Sequence, residues 1–491
     1  SLVRVVTAYA WFGVTRHAFS VPSWLAFAVA VQYLAYPEDH ARLWLIGNYR
    51  LLGPMFTLLG VWCLLRFAAR PGRSVELVVG LFLQILAFLH YETLLGVWVI
   101  GLPLALLYKH RHFSRRIIIA IASTWALTAA YFVWRYAVLP GYTADTFVAG
   151  AHEFVFSPAV VVQRFLESYV LIAQVWERAF RWIDFGVRLS TAEDVLRITA
   201  ISLFVALVVA LVLKTVRGLS GRSITLPNRN RGRDLVLAML VGVPIMAFPF
   251  YLIDLDLIAN EFRSYGIPFA VALGIVGVIL LAMRSRKGLF AAVGIVTILL
   301  SFFASTISGY NHQTVKYRAG VYCDFFLRLT DDIARLPPNY VLVVDLADES
   351  FLLGFWDSFL LGSMEALFYY EGPPTPAGYS LQGINYSGYV LLPDTNVTIE
   401  PDGVHLRLMG IGANNDLLRV PRVVAANRAV VVRYAPFRDL SVIAVPDALQ
   451  SVVRDDAATE ARTAARQLCA WYDPTDPLYT RALFDGQTLW R

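Results

Sequence analysis

Apolar residues crowd into about ten stretches along the first 308 positions, at 3–15, 21–36, 49–67, 75–90, 92–108, 117–138, 196–213, 235–253, 265–283 and 289–308, with polar connections between them. A helix needs roughly 20 apolar residues to cross the hydrocarbon of a bilayer, and most of these stretches approach that length. The pattern therefore predicts a polytopic α-helical membrane protein. The first two stretches are the shortest. Between 140 and 195 the rhythm changes: apolar residues mix with Arg164, Glu167, Glu177, Arg178, Arg181 and Asp184, and Phe165, Tyr169 and Ile172 recur at helical spacing. One or two amphipathic helices lying on the membrane surface fit that spacing, with Trp176 and Trp182 at headgroup depth.

From position 310 onward the pattern is that of a small α/β domain. The run VLVVDL at 341–346 reads as a buried strand, the apolar run 351–370 as a helix, and 397–408 as a hairpin turning at Pro401, Asp402 and Gly403. Residues 429–434 and 441–445 read as a second strand pair, and 455–471 as a helix. The chain divides accordingly into a transmembrane module at 1–309, carrying the amphipathic outer loop at 140–195, and a C-terminal α/β domain at 310–491.

Composition agrees with the membrane reading. Of 491 residues 57% are hydrophobic and 16% charged, which sets the chain apart from soluble domains. The excess of 42 Lys and Arg over 36 Asp and Glu would suggest a nucleic-acid partner if it formed a basic face. Instead the cations sit between apolar stretches: Arg66, Arg70 and Arg73; Lys109, Arg111, Arg115 and Arg116; Lys214, Arg217, Arg222, Arg229, Arg231 and Arg233; Arg284, Arg286 and Lys287. Each cluster falls at every second connection, as the positive-inside rule requires of a single orientation. Topology accounts for the basic balance, and a nucleic-acid partner is excluded. The last span then runs outward, so the C-terminal domain is expected outside the cytoplasm, and the same count places residue 1 outside too.

Cys63 lies in an apolar stretch, whereas Cys323 and Cys469 lie beyond the last one. Three cysteines are too few for a disulfide framework, and although the latter two could pair in an oxidising compartment, the balance of this reading is against it. The chain opens at Ser1, almost directly into an apolar stretch carrying Arg4, with no charged leader and cleavage site. It reads as a chain lacking its natural beginning.

The charge sorting puts the carboxylates of the other connections on one outer face. Glu38, Asp39 and His40 follow Pro37 at a helix end, with Arg50 at the start of the next span. Such carboxylates could act as a general base or hold a divalent cation that neutralises a phosphate, and no other cofactor is called for. A solvated loop with an N-cap is the plainer alternative. His90-Tyr91-Glu92-Thr93 forms a tight turn between two long spans, where a glutamate is costly unless water or a partner reaches it. Glu92 could alternatively cap the next helix. Arg135, near the outer end of its span, could clamp a lipid phosphate or snorkel to the interface beside Trp134. Asp254, Asp256, Glu261 and Arg263 share the last outer loop, where Arg263 could bind phosphate or pair with Glu261.

Taken in order, Tyr36-Pro37, Trp44, Ile46-Gly47 and Arg50, then Tyr91-Glu92-Thr93, Arg135, and Arg263-Ser264-Tyr265-Gly266-Ile267-Pro268 resemble the membrane module of GT-C fold glycosyltransferases of the O-mannosyltransferase-like group. The resemblance runs from about Val3 to Met283, through short motifs. It implies an enzyme that takes a sugar from a polyprenyl-phosphate donor embedded in membrane lipid and passes it to an acceptor on the outer face. On that footing Asp39 and Glu92 are the catalytic carboxylates. Glu38, His40, Arg50, His90, Arg135, Glu261 and Arg263 line the substrate site. The family's usual base, an aspartate in the first outer loop, would precede this sequence; its Lys before the turn Glu is Tyr91 here, and its polar position after the proline falls on Ala41. Two rival classes remain: a transporter or flippase of lipid-linked sugar, which would need polar or broken helices near the midplane and related repeats, and a noncatalytic scaffold of the same fold.

Overall fold

The computed structural model describes residues 2–36, 45–70, 72–90, 94–110, 113–135, 158–219, 229–248, 266–332, 341–346, 389–391, 397–400, 403–411, 417–424, 429–435, 437–444, 463, 466–467, 469–476 and 478–479. These residues are mostly helical. In chain order the helices are α1 (Leu2–Phe19), α2 (Ser23–Ala35), α3 (Leu45–Ala69), α4 (Ser74–His90), a π-helical turn (Val97–Gly101) leading into α5 (Leu102–His110), α6 (Arg115–Val133), α7 (Pro158–Leu189), α8 (Ala192–Leu219), α9 (Arg229–Ala247), α10 (Ile267–Ala282) and α11 (Arg286–Asp332). Each of the ten predicted stretches contains a described helix. Among the described residues four helices, α3, α6, α8 and α11, contain windows long and apolar enough to cross a membrane, and α2, α4, α10 and the Val97–His110 segment are shorter apolar helices. The chain forms a helical membrane protein.

Two compact units divide the chain, one ending at Asn311 and the other comprising Phe185–Thr191 and the residues from His312 onward.

Local chemistry explains several boundaries in the first unit. Ser20 takes a left-handed φ of 52°, and Pro22 follows, so α1 stops at Phe19 and α2 starts afresh. Tyr36 is extended, the conformation that the following Pro37 imposes on its neighbour. Ser114 caps α6, its hydroxyl accepting from the Ile117 amide at 3.4 Å.

A proline inside a helix leaves a carbonyl without its helical donor, because proline has no N–H to give to the residue four back. Pro244 in α9 does this to Leu240, and the Tyr169 hydroxyl of α7 donates there at 2.5 Å. The Val99 carbonyl, in the π-helical turn, accepts from the Trp125 indole at 3.0 Å. Other polar groups pair across helices: Gln32 with Thr297 at 3.0 Å, Gln84 with Thr128 at 2.9 Å, and Thr306 with Ser202 at 3.1 Å. In an apolar surround such bonds fix helix register as well as contributing stability.

Gly96 is where two backbones meet. A Cβ there would stand 2.0 Å from the Ile245 carbonyl oxygen and 2.9 Å from the Phe248 Cβ. Backbone cannot retreat as a flexible side chain can, so Gly96→Ala is expected to cost about 1–3 kcal/mol or more by overpacking. Thermal unfolding of the detergent-solubilised protein would register this as a lowered midpoint, and an unchanged midpoint would refute the close approach.

The helix ends sort into two sets of contacts. In one, the Trp62 indole donates to His17 at 3.2 Å, Phe19 packs on Tyr108 at 5.8 Å, and Arg66 and Arg73 converge on Glu76 at 3.0 and 2.5 Å. Arg231 donates to the Tyr108 hydroxyl at 2.9 Å, and that hydroxyl donates to Asp234 at 2.5 Å. In the other, Tyr36 meets Ile172 and Trp176, His90 meets Phe56, and Tyr131 meets Phe88. Within the amphipathic stretch, residues 158–189 form one helix of 32 residues. Its buried stripe of Leu171 and Val175 packs with Tyr36, Val243, Ala247 and Ile267.

The second unit begins within α11. The predicted span ends at 308, yet the helix continues to Asp332, for 47 residues in all. Parallel and antiparallel strands build a sheet ordered β2 (Tyr389–Leu391), β1 (Val341–Leu346), β6 (Ala429–Ala435), β7 (Asp439–Ala444). β1 lies parallel to β6, whose consecutive Val430, Val431 and Val432 are all fully buried, as an inner strand covered on both faces requires. A separate antiparallel sheet comprises β3 (Val397–Glu400), β4 (Gly403–Ile411) and β5 (Leu417–Val424). Glu400 pairs with Gly403, which confirms the predicted hairpin. The predicted helix at 351–370 lies outside the described residues, as does most of that at 455–471.

Asp324 is the polar hub of this unit. Its buried carboxylate accepts from the Tyr434 hydroxyl at 2.9 Å, the Phe437 amide at 2.8 Å, the Arg328 guanidinium at 3.0 Å and the Tyr472 hydroxyl at 3.1 Å. Next to it Cys323 forms a disulfide with Cys469, with Cα atoms 5.5 Å apart. This corrects the expectation that the two remain unpaired. The two residues are 146 apart in sequence, and spacing alone says nothing about a pairing that the fold creates.

Candidate functional site

Three helices of the first unit bring chemistry to one end. α4 ends at His90, whose ring lies 5.5 Å from that of Phe56 on α3. The last carbonyls of a helix lack donors from within it, and Phe88 is one of these. Tyr131 on α6 donates its hydroxyl proton to the Phe88 carbonyl at 3.1 Å, and its ring packs against Phe88 at 4.9 Å. One turn later, Arg135 donates from Nη1 to the same Tyr131 oxygen at 3.0 Å, with Trp134 standing 6.1 Å from the phenol. A guanidinium carries five donors in a planar fork, and Tyr131 accepts one of them. The half-buried cation is thereby aimed by a side chain that is itself fixed to the end of α4.

That end leads directly into Tyr91-Glu92-Thr93. Phe88, which anchors Tyr131, precedes Glu92 by four positions. The structure thus joins two of the sequence-predicted residues, His90 and Arg135, at the same helix ends. Glu38, Asp39, His40, Glu92, Glu261 and Arg263 lie outside the described residues, together with Asp254 and Asp256. Arg50 occupies the second turn of α3, and its side chain is outside the description. Tyr131 is the residue that sequence reasoning missed. Its signal was its place four residues before Arg135, one helical turn away.

Among the described residues no group of three or more His, Cys, Asp or Glu is placed to hold a metal ion. The carboxylates proposed for a divalent cation are not among those residues. What the described arrangement supplies is a positioned cation at the end of α6, held by Tyr131 beside Trp134. Such a group binds a phosphate or offsets negative charge on a departing one.

No family model matches the chain, no curated protein matches it, and no solved structure matches it.

Proposed function

We propose that the chain is a GT-C-like integral membrane glycosyltransferase that crosses the bilayer about ten times and works on its extracytoplasmic face. It takes a sugar from a polyprenyl-phosphate donor and transfers it to an acceptor hydroxyl. A carboxylate, Glu92 or Asp39, removes the proton of that hydroxyl as the new glycosidic bond forms. The bond from the anomeric carbon to the phosphate breaks, and its electron pair leaves with the lipid phosphate. Arg135 and Arg263 offset the charge that develops there.

The observation that carries this reading is the fixing of Arg135 through Tyr131 to the carboxyl end of α4. A snorkelling arginine needs no such support, whereas a phosphate clamp gains from having its direction set before the ligand arrives. The Cys323–Cys469 disulfide supports an extracytoplasmic second unit independently of charge, because disulfides persist in oxidising compartments.

The test is a transfer assay with the full chain in lipid vesicles, using a polyprenyl-phosphate donor labelled in its sugar. Release of free polyprenyl phosphate, with label appearing on a hydroxyl acceptor, is the expected result. Label that crosses the bilayer while still joined to the lipid would replace the reading with a transporter, and an intact donor on its original side would replace it with a scaffold.

A further inference from the structure

We infer that the basic end of the first unit is a binding site for the phosphate of an anionic lipid headgroup, at the opposite helix ends from Arg135 and independent of the transfer reaction. Four helices contribute. Arg16 and His17 close α1, Arg66 lies near the end of α3, Lys109 near the end of α5, and Arg231 in the first turn of α9. Arg16, Arg66 and Lys109 all lie within electrostatic reach of the His17 ring. Arg231 is tied to the same place through Tyr108, the neighbour of Lys109, whose ring packs on Phe19.

Cations that converge from separate helices repel one another unless something negative joins them. The carboxylates in these contacts are Glu76 and Asp234. Glu76 is engaged by Arg66 and Arg73, and Asp234 by the Tyr108 hydroxyl. Arg16 and Lys109 have no part in those ion pairs. Among the described residues of these contacts positive charge therefore exceeds negative, and a phosphate between Arg16, Lys109 and Arg66 would balance it.

The surroundings suit a headgroup. The Arg66 guanidinium lies over the Trp62 ring at 5.7 Å, and the Trp62 indole donates to His17. Trp and Tyr gather where hydrocarbon meets water, and Trp62, Tyr108 and Phe19 present that border beneath the cations. Arg16 is exposed, while His17 and Lys109 are half-buried, so a phosphate can approach from the rim. A lipid phosphodiester and free phosphate share this chemistry.

The experiment uses the full chain purified in neutral detergent, with bound lipid read by native mass spectrometry. Phosphatidylglycerol is expected to be retained over phosphatidylcholine. Arg16→Gln combined with Lys109→Gln is expected to lower that retention on the order of tenfold, given the worth of each cation near an anionic surface. Arg284→Gln combined with Lys287→Gln removes the same charge from another basic connection and is expected to leave retention unchanged. Equal loss in the two double variants, or equal retention of the two lipids by the parent, would overturn the site. Millimolar inorganic phosphate distinguishes the sources: retention that withstands it assigns the site to the lipid headgroup, and displacement with phosphate bound in its place overturns the lipid assignment. Arg16 is exposed, so Arg16→Gln alone gives the same comparison if the double variant unfolds.

Discussion

Replacing Asp324 by Ala is expected to destabilise the second unit by on the order of 3–5 kcal/mol, the cost of breaking a buried charged cluster by removing one partner. The Tyr434 hydroxyl keeps the Val321 carbonyl as an acceptor at 3.0 Å. The Phe437 amide and the Tyr472 hydroxyl lose their Asp324 partner, and Arg328 loses its carboxylate. Asp324→Asn should cost less. Its oxygen can take the place of Oδ2, which accepts from Tyr434, Phe437 and Arg328, while Tyr472 turns its hydroxyl to accept from the new amide. Denaturant titration or limited proteolysis with the disulfide intact would show the ranking, and equal stability of all three proteins would remove Asp324 from its role. The phenols add a dependence on pH. Burial first, and the Asp324 carboxylate second, hold Tyr434 and Tyr472 above the ordinary phenol value of 10.0. A folded state that raises these values favours the protonated phenol, so the contribution is whole below about pH 10 and is lost as pH climbs above it.

Replacing Glu92 by Gln is expected to lower the rate of sugar transfer by about 10²–10⁴-fold, the usual worth of a positioned general base. Glutamine matches the shape and polarity of glutamate but cannot accept the proton of an acceptor hydroxyl. Binding of the lipid donor should survive, because the proposed site assigns its phosphate to cations rather than to Glu92. The comparison therefore needs two readings: initial rate of transfer, and donor retention. Full turnover in the variant would remove Glu92 from the chemistry and leave Asp39 as the carboxylate to test. Loss of donor retention along with rate would instead make Glu92 part of the binding frame.

Apolar periodicity made the helices legible, because a span must keep its side chains apolar for nearly its whole length. The strands at 341–346 and 397–408 were legible through β-branched runs and the Pro-Asp-Gly turn. Sequence also marks Pro244 as a place where a helix loses a hydrogen bond. It does not say that Tyr169 restores it, since that partner comes from another helix. The same limit hid Tyr131: a tyrosine one turn before an arginine has meaning only once its hydroxyl reaches the Phe88 carbonyl. The continuation of α11 beyond its span was not legible, for a different reason. Hydropathy falls after 308 as Asn311, His312 and Lys316 appear, but a helix needs no apolar sequence to continue, only partners for the faces it presents. The Asp324 carboxylate and Cys323 draw such partners from residues 434–472, far along the chain.

That last feature sets an order of events during synthesis. Everything needed to form α11 has been made by residue 332, whereas the groups that close on it, Tyr434, Phe437, Cys469 and Tyr472, follow more than a hundred residues later. At the rate of chain elongation, about 5–20 residues per second, Cys323 stays reduced and Asp324 without those partners for several seconds. Throughout that interval the thiol is open to the wrong partner, so yield of the correctly joined protein depends on how the emerging chain is shielded until its last segment arrives.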